Sequence, residues 1–253
     1  MKKLLRLMLK YYLNVLARIV LVRWRPAVIA IAGSVNKTFF KDAVVELLRK
    51  ERIACASTYH AFNTEIGLPL TILGLPSGYE SYRRWAGIMA QALIAALRRR
   101  LPAVLVLELG ADHSGDIGYL TGLVRPKIAI ITGLTKRYLE NFGSISSAVS
   151  EYGTLAASVP AGGLVIANAD TPELMRLSEG TRSAISWFSL TGAVGATYRA
   201  TKIERTEEGM EGEYKTGETV RGFSLDRYGM HHVSAFLAAQ AVGEHLHLLR
   251  QMR

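Results

Sequence analysis

Hydrophobic positions fall into two regimes from Ala27 onward. Short unbroken apolar runs alternate with segments whose apolar residues recur every three or four positions. The first kind reads as strands buried on both faces, the second as amphipathic helices. The pattern predicts a strand over 27–32, a helix to residue 50 and a short strand over 53–56. A turn-rich loop over 58–69 leads into an apolar stretch at 70–75, and a long helix follows over 80–100. Next come a strand over 103–109, a short helix after residue 116, a strand over 127–132, a helix over 144–159 and a strand over 164–167. Beyond residue 183 the pieces become short and β-prone, at 187–190, 197–203 and 213–223. Gly209 and Gly212 mark a hairpin between the last two, and a helix over 231–249 ends the pattern.

This alternation predicts an α/β fold: a mostly parallel sheet with helices on both faces, plus a small β-rich section near the C-terminus. In such sheets ligands sit beyond the carboxyl ends of the strands. Three polar stretches fall at such ends, namely 33–38, 108–116 and 168–170.

Residues 1–26 differ and read as a separate basic amphipathic helix ahead of a domain over 27–253. Leu4, Met8, Tyr11, Tyr12, Val15, Leu16 and Ile19 share one side; Lys2, Lys3, Arg6, Lys10 and Asn14 share the other. No apolar run reaches the ~20 residues that span a bilayer, and the pattern of a secretory signal is missing. Two readings stand side by side. The helix lies on an anionic membrane surface, the inner face, or it packs on its own domain or a partner with its basic side in water.

The candidate chemistry begins at Gly33-Ser34-Val35-Asn36-Lys37-Thr38. A glycine-bearing turn between a buried strand and a helix N-terminus suits a phosphate, through backbone N–H groups and the helix dipole. Lys37 would reach the outer phosphates and the Thr38 hydroxyl a magnesium ion. Asn36 stands where a strict phosphate loop has glycine; asparagine is the side chain that best tolerates a left-handed backbone there. An ordinary strand-turn-helix explains the spacing alone equally well. Glu108 adds a carboxylate near the end of a buried strand, which needs a reason such as a cation.

Composition changes the picture little. The chain has 253 residues, enough for one large domain, and 49% are hydrophobic, which excludes disorder. A single cysteine, Cys55, excludes an internal disulfide framework and an all-cysteine metal site, and suits a reducing compartment. The 31 Lys and Arg against 21 Asp and Glu leave +10, which favours a polyanionic partner without choosing one. No nucleic-acid motif accompanies the charge. His60, His231 and His232 have no partners at zinc spacing.

Several stretches together resemble the central ATP-binding domain of the Mur ligases, over roughly residues 27–247. Ala32-Gly33-Ser34-Val35-Asn36-Lys37-Thr38 resembles the family's Thr-Gly-Ser-x-Gly-Lys-Thr loop. Asn63-Thr64-Glu65-Ile66-Gly67-Leu68-Pro69-Leu70-Thr71 resembles its Asn-Asn-Glu-Ile-Gly-Val-Pro-Leu-Thr segment. Glu108-Leu109-Gly110-Ala111-Asp112-His113-Ser114-Gly115-Asp116-Ile117 resembles its Glu-x-Gly-Ala-x-His-x-Gly-Glu-Ile stretch. Leu139-Glu140-Asn141-Phe142-Gly143-Ser144, Asn168-Ala169-Asp170 and Gly229-Met230-His231-His232-Val233 also match family segments, the last near the nucleotide base. The branch it is most similar to adds D-alanyl-D-alanine to the muramoyl tripeptide.

The resemblance implies a P-loop-type fold, ATP and magnesium as cofactors, and a UDP-muramoyl-peptide-type substrate in peptidoglycan precursor synthesis. A carboxylate is phosphorylated by ATP, an amine attacks the acyl phosphate, and an amide forms. It implies Lys37 and His113 as catalytic groups, and Gly33, Ser34, Val35, Asn36, Lys37, Thr38, Asn63, His231 and His232 around the nucleotide. Thr38 and Glu108 would hold magnesium. A plain helix-capping role for His113 is equally open.

Departures are equally legible. Asn36 replaces the loop glycine, Thr64 an asparagine and His232 the base-site asparagine. Tyr138 and Tyr152 stand where the family places the histidine and the carbamylated lysine of a second magnesium site. A phenol is a poor magnesium ligand at neutral pH. Counterparts of the family's N-terminal and C-terminal domains are not expected within these residues, and one reading is a minimal ligase completed by a separate chain. The alternative is a non-catalytic nucleotide-binding or scaffold protein derived from a Mur ligase, binding nucleotide weakly or not at all and held at the inner membrane face.

Overall fold

The computed structural model describes residues 2–58, 62–79, 81–135 and 142–251. Tyr138, Glu140, Asn141 and His60, which the sequence reading singled out, lie outside these residues.

Helix α1 (Lys2–Trp24) precedes the alternating portion: β1 (Ala27–Ala32), α2 (Lys37–Lys50), β2 (Cys55–Ser57), α3 (Gly67–Leu73), α4 (Tyr82–Arg98), β3 (Val104–Glu108), α5 (Asp116–Val124), β4 (Ile128–Ile131), α6 (Ile145–Ser158) and β5 (Leu164–Asn168). A 3-10 segment (Pro172–Glu179) leads to β6 (Ala184–Ser189), β7 (Tyr198–Arg205), β8 (Met210–Thr216), β9 (Thr219–Leu225) and α7 (Met230–Gln251). The described strands form one nine-stranded sheet in the order β2-β3-β1-β4-β5-β6-β7-β8-β9. Pairing is parallel through β6–β7, and β7, β8 and β9 are antiparallel.

The sheet is mostly parallel with a β-rich C-terminal section, as the alternation predicts. One expected strand is corrected. Residues 213–223 hold parts of β8 and β9, joined by a second hairpin at Gly217, whose φ of 56° is left-handed. Gly209 does lie in the β7–β8 turn, whereas Gly212 is a paired residue inside β8. The turn signal, Gly217-Glu218 between two threonines, stands in the sequence, inside the stretch expected as one strand.

Each central strand alternates its side chains between two cores, so both faces are apolar and the strand reads as unbroken. Val28, Ala30 and Ala32 of β1 face a core built with α1, α3, α4, α5 and α6. Ile29 and Ile31 face the other, built with α2, α7 and the inner side of the antiparallel strands.

Helix α1 packs on its own domain through Leu9, Leu13, Leu16, Ala17 and Val20. This corrects the expected faces. Leu4, Met8, Tyr11, Val15 and Ile19 point outward, and Asn14 is buried, its amide donating to the Tyr119 hydroxyl at 2.9 Å. Apolar residues run more than halfway round the helix, so periodicity alone allows either stripe to pack. Among the described residues no helix is long and apolar enough to cross a membrane.

Candidate nucleotide and magnesium site

The loop after β1 is tied to the end of β4. Ser34 N–H donates to Gly133 O at 3.0 Å, Thr135 N–H donates to Ser34 Oγ at 2.8 Å, and Thr132 Oγ1 donates to Val35 O at 2.6 Å. Gly33 has φ 138°, and a Cβ there would come within 2.1 Å of Thr132 Oγ1. Only glycine fits that approach. Asn36 adopts φ 64° and ψ 8°, the left-handed conformation that asparagine tolerates. Its side chain does not cap α2, so the helix begins without side-chain competition for an anion at its N-terminus.

Lys37 Nζ donates to Gly33 O at 2.8 Å, folding over the loop. Burial lowers the pKa of this ammonium, opposed by the Glu108 and Asp112 carboxylates. One helical position on, Thr38 Oγ1 donates to Glu108 Oε2 at 3.4 Å. Register puts them together: β1 and β3 are adjacent and parallel, with Ile31 opposite Glu108.

Glu108 is 3% exposed, and its Oε1 makes no hydrogen bond among the described residues. Lys41 Nζ stands 3.1 Å from that oxygen, donates to Thr58 O at 3.3 Å, and is itself buried. A hydroxyl and a carboxylate converging on one point form a hard oxygen donor set, which fits magnesium. Sequence reasoning missed Lys41, because a lysine within a helix ordinarily lies in water. The available signal was its place among Phe40, Val44 and Val45, on the buried side of α2.

Two flanks extend the site. On one, Phe39 packs against His231 at a tilt of 44° with ring centroids 4.2 Å apart and meets His232 edge-on at 4.8 Å. The neighbouring cavity, of about 350 Å³, is lined by Phe39, Leu47, Arg227, His232 and Phe236 among others. Burial, then the neighbouring His231 and Arg227, lowers the His232 pKa and favours a neutral ring. On the other flank, Gly110 N–H donates to Asn63 O at 2.8 Å, bringing the 63–71 segment against the end of β3. A second cavity of about 420 Å³ opens there between α1 and the loop after β3, bordered by Arg6, Lys10, Asp112 and His113.

His113 is 84% exposed at its side chain and does not cap α5. The cap is Glu151, which the sequence did not single out, while Asp116 ties down the loop ahead of the helix. Asp116 Oδ2 accepts from the N–H groups of Asp112 and His113, and buried Glu151 accepts from Gly115 and Ile117 at 2.8 and 2.7 Å. Asp170, at the third strand end, is bound internally by the Ser189 and Thr191 hydroxyls and by Leu190 N–H. Tyr152 is buried at 1% exposure within the core of α6. The described site therefore joins the 33–38 loop to Glu108, with Asn63 and His113 on one side and His231 and His232 on the other.

Residues 84–243, over half of the chain, match the model of the Mur ligase middle domain. The chain belongs to that family. Among curated relatives, the UDP-N-acetylmuramoyl-tripeptide–D-alanyl-D-alanine ligase of Escherichia coli is 28% identical over 218 residues, 85% of this chain and 42% of the relative. The Bacillus subtilis ligase of the same name is 27% identical over 233 residues, 91% of this chain and 44% of the relative. Among solved structures, MurF ligase from Thermotoga maritima in complex with ADP superposes with a TM-score of 0.76 at 21% identity, over 94% of this chain and 49% of that one. MurF from Acinetobacter baumannii gives 0.75 at 21% identity, covering 94% and 47%. The sheet and its helices are thus those of a Mur ligase central domain, homologous to peptidoglycan precursor ligases. The chain spans less than half the length of the curated relatives it matches.

Proposed function

We propose that this Mur ligase domain binds magnesium–ATP on the 33–38 loop and serves the carboxylate-activating half of an amide-forming ligase reaction. The observation that carries this reading is the convergence of Thr38 Oγ1 and buried Glu108 Oε2, 3.4 Å apart at the mouth of a loop shaped by Gly33 and Asn36.

In this reading, backbone N–H groups of the loop and the start of α2 hold the phosphates. Lys37 leaves Gly33 O for the β/γ-phosphates, where its charge offsets the charge developing on transfer. Magnesium, when bound, neutralises phosphate oxygens, and Thr38 and Glu108 are the residues that would hold it. Phe39, His231 and His232 wall the base side. A substrate carboxylate oxygen attacks the γ-phosphorus, ADP departs, and an amine displaces phosphate from the acyl carbon. The cavity beside Asp112 and His113 supports entry of the acyl substrate from that flank, with exposed His113 free to turn toward its phosphorylated carboxyl. That substrate is of the UDP-muramoyl-peptide type named for the relatives, and the regions outside the match, on this or a separate chain, would present it.

A second reading, a nucleotide-binding scaffold at an anionic membrane surface, is favoured by Tyr152. The resemblance expects a carbamylated lysine there, and the phenol is instead packed in the core. Calorimetric titration with magnesium–ATP, alongside Lys37→Ala, tests the shared premise. Binding that depends on the lysine is expected. No binding at millimolar nucleotide overturns both readings.

A further inference from the structure

Outward-facing apolar side chains gather on two neighbouring helices. On α1, Leu4, Met8, Tyr11, Val15, Ile19 and Val22 form a stripe opposite the one that packs, and each is at least 46% exposed. On α4, Leu93, Ile94 and Leu97 are exposed in the same way, while Ile88, Ala92 and Ala96 pack inward. The helices lie side by side and run in the same direction. Tyr12 Oη donates to Met89 O at 2.8 Å, Arg23 Nη1 to Leu97 O at 2.6 Å and Trp24 Nε1 to Arg99 O at 2.8 Å. The two stripes therefore belong to one side of the molecule. Scattered surface leucines are ordinary, but nine outward-facing apolar side chains on two adjacent helices mark a docking surface.

Charge selects the occupant. Helix α1 carries six Lys or Arg and α4 three, and neither carries an Asp or Glu. Apolar side chains fringed mainly by cations, with Glu65 paired to Arg6 at 2.8 Å as the acid beside α1, suit an interface of hydrocarbon and anionic headgroups. We infer that α1 and α4 together form a platform that docks on an anionic bilayer, with the outer stripe of α1 and Leu93 and Leu97 of α4 entering the headgroup–acyl boundary. This deepens the membrane-scaffold reading: the contact is a folded two-helix face rather than a free N-terminal helix. The α2–α7 side of the sheet, with Phe39, His231 and His232, faces away from the lipid, so nucleotide and bilayer do not compete.

Flotation of the full chain with vesicles of phosphatidylglycerol and phosphatidylcholine, against phosphatidylcholine alone, tests the platform. Partitioning is expected to be at least tenfold stronger on the anionic vesicles and to fall with added salt. Met8→Ser, Val15→Ser, Leu93→Ser and Leu97→Ser combined should reduce it more than tenfold with thermal melting unchanged. Should that variant misfold, Arg83→Gln, Arg84→Gln and Arg98→Gln combined is expected to weaken anionic binding about 100-fold, at about fivefold per basic residue. Lys37→Ala should float like the unaltered chain, which separates failure of the platform from failure of the nucleotide site. Absent or equal partitioning on the two vesicle types overturns the inference. So does a dimer in sedimentation velocity that the four serine substitutions disperse, which assigns the face to a second copy.

Discussion

Removing the Lys41 ammonium probes the charge balance on which the candidate metal site is built. Lys41 and Glu108 are both buried, with Nζ 3.1 Å from Oε1. At an effective dielectric of about 20, unit charges at that distance attract by about 5 kcal/mol, opposed by the cost of desolvating both. Lys41→Met fills similar space but leaves the buried carboxylate without its ion-pair partner at Oε1, with the Thr38 hydroxyl at 3.4 Å from Oε2 and the more distant charge of Lys37 still facing it. Breaking a buried pair from one side costs about 3–5 kcal/mol, so urea unfolding should show a loss of that order. Adding Glu108→Gln removes the stranded charge and should recover most of the loss, a coupling of about 2 kcal/mol or more. Millimolar magnesium should also restore part of it in Lys41→Met, by binding the freed carboxylate, and none in the double variant. A single variant within 1 kcal/mol of the parent, or losses that simply add in the double variant, would refute the reasoning.

Other positions give sharper local tests. Gly33→Ala should cost more than about 2 kcal/mol in the same assay, because the added Cβ collides with Thr132 Oγ1 at a positive φ. Asn36→Gly should leave stability within about 1 kcal/mol while raising nucleotide affinity in calorimetry, since glycine holds the left-handed turn without a side chain beside the phosphates. Asp170 predicts a pH effect. Burial pushes its pKa up, but hydrogen bonds from Ser189, Thr191 and Leu190 outweigh it and hold the carboxyl below its ordinary value. A depressed folded-state value means its stabilisation is complete above about pH 4 and disappears as pH falls through the folded value. The urea midpoint gap between the parent and Asp170→Asn should therefore be constant from pH 7 to 5 and close below pH 4. A gap that widens with acid would contradict the assignment.

What the sequence disclosed followed from local physics. The β1 strand, the Gly33 turn and the start of α2 were legible because a two-sided buried strand meets a glycine and then a helical period. The left-handed Asn36 was legible from its side chain. Contacts made at long range were not. Lys41 pairs with a residue 67 positions away, across the parallel register of β1 and β3. Glu151 caps the start of α5 from another helix, and nothing near residue 115 signals it. The packed face of α1 was misassigned because Leu9, Leu13 and Val20 make as good a stripe as Leu4, Met8 and Val15. Only the shape of the surface they meet decides between them.

Diffraction from crystals grown with magnesium and a non-hydrolysable ATP analogue tests the central claim most directly. The account predicts phosphates held by the backbone N–H groups of residues 35–38, Lys37 Nζ released from Gly33 O, and magnesium at about 2.1 Å from Thr38 Oγ1. An empty loop at saturating analogue, or a metal remote from both Thr38 and Glu108, would contradict it.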